Sequence, residues 1–117
     1  MKVTRLYTGD DGQSHFQDIE IDLNPSGVGL LSEIYPATGV IFRETAADYD
    51  LDFHNAPRKQ YVVCLDASVK VTIGDGSSRI FGPGDIFLAE DVTGQGHISQ
   101  AVNGQVRHSL FIPIEEE

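Results

Sequence analysis

The sequence predicts an all-β domain of the sandwich or barrel kind. Its 12 glycines and five prolines fall at short intervals along the chain. The segments between them are short and rich in Val, Ile, Phe and Tyr, residues that fit a pleated, half-buried surface. Helical periodicity is almost absent, whereas residues 16–23 set Ile19, Ile21 and Leu23 between acids, the period of two of a strand with one wet face. Short strands at this spacing, separated by turn residues, indicate a sandwich or a barrel.

The 117 residues fit a single domain, 1–117, able to bury roughly two-thirds of its unfolded surface. An apolar share of 40% with 22% charged residues is ordinary for a globular chain and argues against general disorder. Eighteen acidic against eight basic side chains leave a net charge of −10. Nucleic acid and anionic membrane are therefore excluded as expected partners, since both need clustered Lys and Arg. No run approaches the roughly 18 apolar residues of a spanning helix, and Met1 to Leu6 leads into polar Gly9-Asp10-Asp11-Gly12 without a secretory apolar core. The lone Cys64 has no internal disulfide partner. The expected compartment is the cytoplasm.

In chain order, the strand at 16–23 ends at Asn24-Pro25-Ser26-Gly27, a run of turn residues. Further strands are expected over 39–44, 60–65, 69–73, 85–89 and 106–112. The strand at 69–73 runs into Gly74-Asp75-Gly76 and returns over 77–81 as a hairpin. Gly82-Pro83-Gly84-Asp85 makes a second tight turn. One short helical piece is expected over 44–49. No repeat or linker is evident, and Glu115-Glu116-Glu117 reads as a solvated end.

The chain has four histidines, His15, His54, His97 and His108. His54 lies in Asp52-Phe53-His54-Asn55-Ala56-Pro57-Arg58-Lys59-Gln60, just before the β-prone Tyr61-Val62-Val63-Cys64-Leu65. His97 follows the Gly84-Asp85 turn, the apolar strand Ile86-Phe87-Leu88-Ala89 and the segment Glu90 to Gly96. These surroundings resemble a small, single-domain cupin. In that family a first motif carries a histidine, a second histidine two residues on, a glutamate four further and a later glycine; those places hold His54, Ala56, Gln60 and Ala67 here. The second motif runs from a glycine through a strand to a histidine and then an asparagine. Its places fall at Gly84, Glu90, His97 and Ala101, with about two extra residues before the histidine. The resemblance covers roughly residues 38 to 112.

The resemblance implies the cupin double-stranded β-helix, a jelly-roll barrel over 37–113, with residues 1–36 adding outer strands. It also implies a cavity holding a divalent metal, Fe, Mn, Ni, Cu or Zn, on nitrogen and oxygen donors. Here Ala56 cannot ligate and Gln60 is a neutral amide. The metal set the resemblance leaves is His54, Gln60 and His97, short of one ligand and of the carboxylate charge. The implied partners are a small-molecule ligand and a second copy of the chain, because edge strands of a small barrel are commonly covered by a homodimer.

Each candidate residue has a second reading. His54 and His97 read as catalytic cavity histidines or as hydrogen-bonded loop residues, and Gln60 as a ligand or a polar side chain at the barrel mouth. Glu90 and Asp91 follow an apolar strand at the cavity mouth, where burial can raise a carboxylate's pKa, or they are exposed loop acids. Arg43, Asn55, Glu90 and Tyr61 are assigned to ligand binding. Arg43, like Arg58-Lys59, can greet a carboxylate or phosphate or simply be solvated. Tyr61 adjoins Gln60 and points to the opposite face of a regular strand. Tyr35 and Tyr49 can close a pocket or pack core. Cys64 reads as a buried small apolar residue, His108 as a strand histidine and His15 as surface.

Two classes of function follow. One is a cupin-type small-molecule enzyme of isomerase, lyase or dioxygenase type, metal-assisted or working by imidazole acid–base chemistry. The other is a ligand-binding or sensing module without turnover.

Overall fold

The computed structural model describes residues 1–115, which form twelve β-strands and no helix. They are β1 (Lys2–Thr8), β2 (Ser14–Glu20), β3 (Asn24–Ser26), β4 (Gly29–Leu31), β5 (Ile41–Thr45) and β6 (Asp50–His54), followed by β7 (Gln60–Cys64), β8 (Val69–Thr72), β9 (Ser78–Phe81), β10 (Ile86–Ala89), β11 (His97–Ala101) and β12 (Arg107–Pro113). A six-stranded sheet has the order β2-β1-β10-β7-β12-β5, and a four-stranded sheet the order β6-β11-β8-β9. The architecture is all-β and jelly-roll-like. The two sheets do not join by hydrogen bonds into a closed barrel among the described residues.

The core lies between the sheets because alternate side chains point to opposite faces. Leu6 of β1, Val62 and Cys64 of β7, and Phe87 and Ala89 of β10 come from the larger sheet, and Val69, Val71 and Phe81 from the smaller. Phe81 and Phe87 pack with ring centroids 4.5 Å apart. The hairpin expected over 69–81 is the β8–β9 pair, with Val69 opposite Phe81 and Thr72 opposite Ser78. β1 runs parallel to β10 and antiparallel to β2, extending the larger sheet on one side.

The helical piece expected over 44–49 does not form. β5 runs through Thr45, with Glu44 opposite His108 in the ladder, and the chain then turns with Tyr49 N–H donating to Ala46 O at 3.1 Å. A segment of six residues is too short to hold a helix against an available sheet edge. β6 and β11, not expected from the sequence, are mostly polar and pair only across long sequence separations, and Asn24-Pro25-Ser26, which reads as turn residues, forms β3 instead. The acids Glu116 and Glu117 lie outside the described residues.

Between Asn24 and Ala37 the chain leaves the sandwich, rejoining it where Thr38 N–H donates to Pro113 O at 2.9 Å. β3 and β4 pair only with each other, and Val28, Ile34 and, further on, Phe42 are 87%, 95% and 83% exposed. From Leu23 to Phe42 the only charged residue is Glu33. No helix among the described residues is long and apolar enough to cross a membrane.

Candidate active site

The same alternation that builds the apolar core turns polar at one end of the sandwich. Gln60 on β7, His97 and Ser99 on β11, and Arg107 and Ser109 on β12 are all buried. His54 closes β6 and His97 opens β11, and the two stand directly opposite in an antiparallel pair. Their ring centroids are 4.5 Å apart with planes inclined at 54°. The strands approach this closely because residue 96 is glycine. Gly96 has φ of 79°, and a Cβ there would lie 2.0 Å from the carbonyl oxygen of His54.

Beneath His97 lies Asp91, whose side chain is completely buried. The ring of His97 bonds through Nδ1 to Asp91 Oδ2 at 2.6 Å, and Ser14 Oγ donates to the same oxygen at 2.7 Å. A carboxylate oxygen that accepts two hydrogen bonds fixes Nδ1 of His97 as the protonated nitrogen and leaves Nε2 for the cavity. Asp91 also anchors its neighbourhood through the backbone, since Ala56 N–H donates to its carbonyl at 3.1 Å. His54 is oriented in a parallel way: its Nδ1 donates to Asp52 O at 2.8 Å, so its Nε2 too is unengaged by that bond. Burial holds the pKa of His54 below the usual histidine value, with the charge of His97 acting in the same direction and the Asp52 carbonyl opposing. His54 is therefore neutral at pH 7.

The cavity has a volume of about 70 Å³. His54, His97, Gln60, Arg43, Tyr49, Ser99, Arg107 and Ser109 line it together with the apolar Ala56, Val62, Phe87 and Phe111. Arg107 is buried, and removal from water depresses its pKa. Cys64 also borders the cavity, where burial pushes its thiol up to about 11, so it is no nucleophile at neutral pH.

The metal set expected from the resemblance, His54, Gln60 and His97, shares this one cavity. Its chemistry fits a divalent cation poorly. The Gln60 carbonyl oxygen accepts from Arg58 Nη1 at 3.2 Å and so is turned toward a guanidinium, and two further arginines line the cavity. Among the described residues no group of three His, Cys, Asp or Glu side chains converges.

Of the residues assigned to ligand binding, Arg43 lines the cavity; Asn55, Glu90 and Tyr61 do not border it. Asn55 Nδ2 donates to the carbonyls of Thr93 and Gly94 at 3.0 and 2.9 Å, pinning the loop before His97. Glu90 Oε1 accepts from Arg5 Nε at 2.6 Å. Tyr61, between inward-facing Gln60 and Val62, lies on the opposite face of β7, and its phenol pKa is raised by burial. His15 bonds Asp11 at the surface, and His108 sits exposed between Asp66 and Glu44. Tyr49 lines the cavity, whereas Tyr35 is exposed.

Two residues of the site, Ser14 and Arg107, are not among those the sequence marks out for function, and Asp91 is marked only together with Glu90. For Asp91 the available signal is its place two residues beyond an apolar strand and six before His97. Nothing local marks Ser14 or Arg107. The chain matches no protein-family model and no curated protein.

Proposed function

We propose that the protein is a small-molecule enzyme that moves a proton in the sandwich cavity, with His97 as the acid–base group and Asp91 as its positioning residue. The observation that carries this reading is the buried Asp91–His97 hydrogen bond at 2.6 Å, facing neutral His54 across one cavity. A carboxylate behind an imidazole fixes its tautomer and offsets the charge it gains on taking a proton at Nε2. The unprotonated Nε2 of His54 can accept a proton from His97 or from the substrate and hand it back at another atom, which suits isomerase or lyase chemistry beside a carbonyl. No step here needs a metal, and the arginine-lined donor set supports the imidazole route over the metal-assisted one.

Membership of the cupin group belongs to the same proposal. It is supported by His54 and His97, one from each motif, lining a single cavity. A homodimer is supported by the residues from 23 to 42, a 20-residue apolar stretch with one charge on a chain of net −10. Its size matches one side of a standard interface, about 20–30 residues. Sedimentation at micromolar concentration checks it, and a monomer would refute it. The single buried Cys64 agrees with a reducing, cytoplasmic setting.

The enzyme reading is tested by incubating the full chain in D2O with small ketones, oxo acids and hydroxy acids and following loss of the α-proton signal by NMR. Catalysed exchange with wild-type protein that falls 10²–10⁴-fold in His97→Ala supports it. No exchange with any of them, alongside ligand-induced stabilisation, would instead favour a binding module. Elemental analysis of tag-free protein and of His54→Ala decides the metal: stoichiometric metal lost in the variant would overturn the imidazole route.

A further inference from the structure

The cavity holds cations that the chain itself leaves unanswered. Arg107 opens β12 with its side chain turned inward and 7% exposed, and its Nη1 is buried with no hydrogen-bond partner among the described residues. Directly opposite in the ladder, the buried hydroxyl of Thr45 is likewise unpartnered. Arg43, from the adjacent β5, lines the same cavity. Both guanidinium groups stand over the ring of Tyr49, at 5.4 Å for Arg43 and 5.6 Å for Arg107, and Arg43 also lies 5.0 Å from the ring of Phe111. Among the described residues, neither arginine forms a salt bridge with a carboxylate, on a chain where acids outnumber bases 18 to 8.

A buried guanidinium without an anion is costly, and an unsatisfied buried N–H adds to the cost. Cation–π contact with Tyr49 offsets part of this and fixes where the two forks lie, but it supplies no acceptor for their N–H groups. Resting on the proton-transfer reading of the same cavity, the geometry points to a small organic carboxylate as the bound molecule, its carboxylate received by Arg107 and Arg43. A planar carboxylate accepts two parallel N–H bonds from a guanidinium. A volume of about 70 Å³ admits an acid of only a few non-hydrogen atoms. With one end of such a molecule on the arginines, the rest lies in the space that His54 and His97 face. The charge of a carboxylate makes the adjoining proton hard to remove, and two guanidinium groups that offset that charge ease its transfer to the positioned imidazole.

Calorimetric titration of the full chain with sodium acetate, glycolate, pyruvate and malonate tests this, with acetamide as the neutral control and inorganic phosphate as the competing anion. Expected are saturable binding of at least one carboxylate, none of acetamide, and an affinity at least tenfold weaker in Arg43→Met, whose more exposed side chain tolerates replacement. Arg107→Lys keeps the charge but loses the fork and is expected to weaken binding as well, with circular dichroism verifying that it folds. His108→Ala, at the surface away from the cavity, is expected to bind as wild type does. Absence of carboxylate binding, equal affinity in Arg43→Met, or tighter binding of phosphate would each overturn the proposal. Carboxylate binding without catalysed proton exchange would sink the proton-transfer reading and leave this one standing.

Discussion

His97 and His108 each meet an aspartate at nearly the same distance, 2.6 Å to Asp91 and 2.5 Å to Asp66, but in opposite surroundings. The first pair is closed off, with side chains 7% and 0% exposed; the second stands at 47% and 49%, with Glu44 on the other ring nitrogen. At the surface, water and salt screen the attraction, both ring nitrogens are occupied by carboxylates, and the pair has no cavity to act upon. In the interior a carboxylate with one orphaned oxygen, Asp91 Oδ1, aligns a ring whose other nitrogen faces a lined space. Bond length does not separate a candidate catalytic pair from a surface ion pair; burial and the unengaged Nε2 do.

The contrast breaks most sharply at the carboxylates. Asp91→Asn keeps the shape but can present an N–H to Nδ1 and turn the tautomer over; proton-exchange turnover should fall about 10³–10⁴-fold with the fold intact by circular dichroism. Asp91→Ala removes one partner of a buried pair and should cost about 3–5 kcal/mol in urea unfolding. Gly96→Ala comes next. Its Cβ would collide with the carbonyl of His54, so about 3 kcal/mol of stability is lost, and the ring-to-ring contact of the two histidines is lost with it, visible as shifted imidazole resonances.

A smaller effect sharpens the comparison through pH. The pKa of His54 is lowered on folding, so between its folded value and about 6.5 the unfolded chain binds the extra proton, and stability falls as pH drops through that window. The pKa of His108 is raised, chiefly by its hydrogen bond to Asp66 and then by that to Glu44. Its contribution is complete below about 6.5 and is lost as pH rises through the raised value. Urea midpoints of His54→Gln and His108→Gln across pH 4 to 9 should therefore differ from wild type with opposite slopes. The smallest effect belongs to His108→Ala, which should leave proton exchange unchanged and, near pH 7, alter stability no more than an ordinary surface substitution.

What the sequence makes legible follows the range over which each feature is decided. The all-β class, the β8–β9 hairpin and the strands around Tyr61 and Phe87 rest on local alternation and turn residues, which a sequence displays directly. His54 and His97 stand out because each adjoins a recognisable strand and turn. Asp91 is singled out only jointly with Glu90, because the two adjacent acids look alike in sequence; the difference is that Glu90 meets Arg5 while Asp91 turns inward to His97 and Ser14. Arg107 is hidden for a related reason, because only its register against Thr45 and Ser109's against Arg43 show that it faces the cavity. The short helix expected over 44–49 fails on the same principle, local propensity yielding to a sheet edge already in place.

The Ser14–Asp91 hydrogen bond joins residues 77 apart in sequence, and β1 reaches β10 by a parallel pairing that no tight turn can make. Loop closure over such a span must precede the reward of the contact, so this corner of the molecule belongs to the slow, late part of folding. During synthesis, Ser14 waits for a further 77 residues before the aspartate it secures has been made. No contiguous fragment that fails to span residues 14 to 97 can carry Ser14, Asp91 and His97 together, and the opening strands thereby govern when the interior chemistry comes into being.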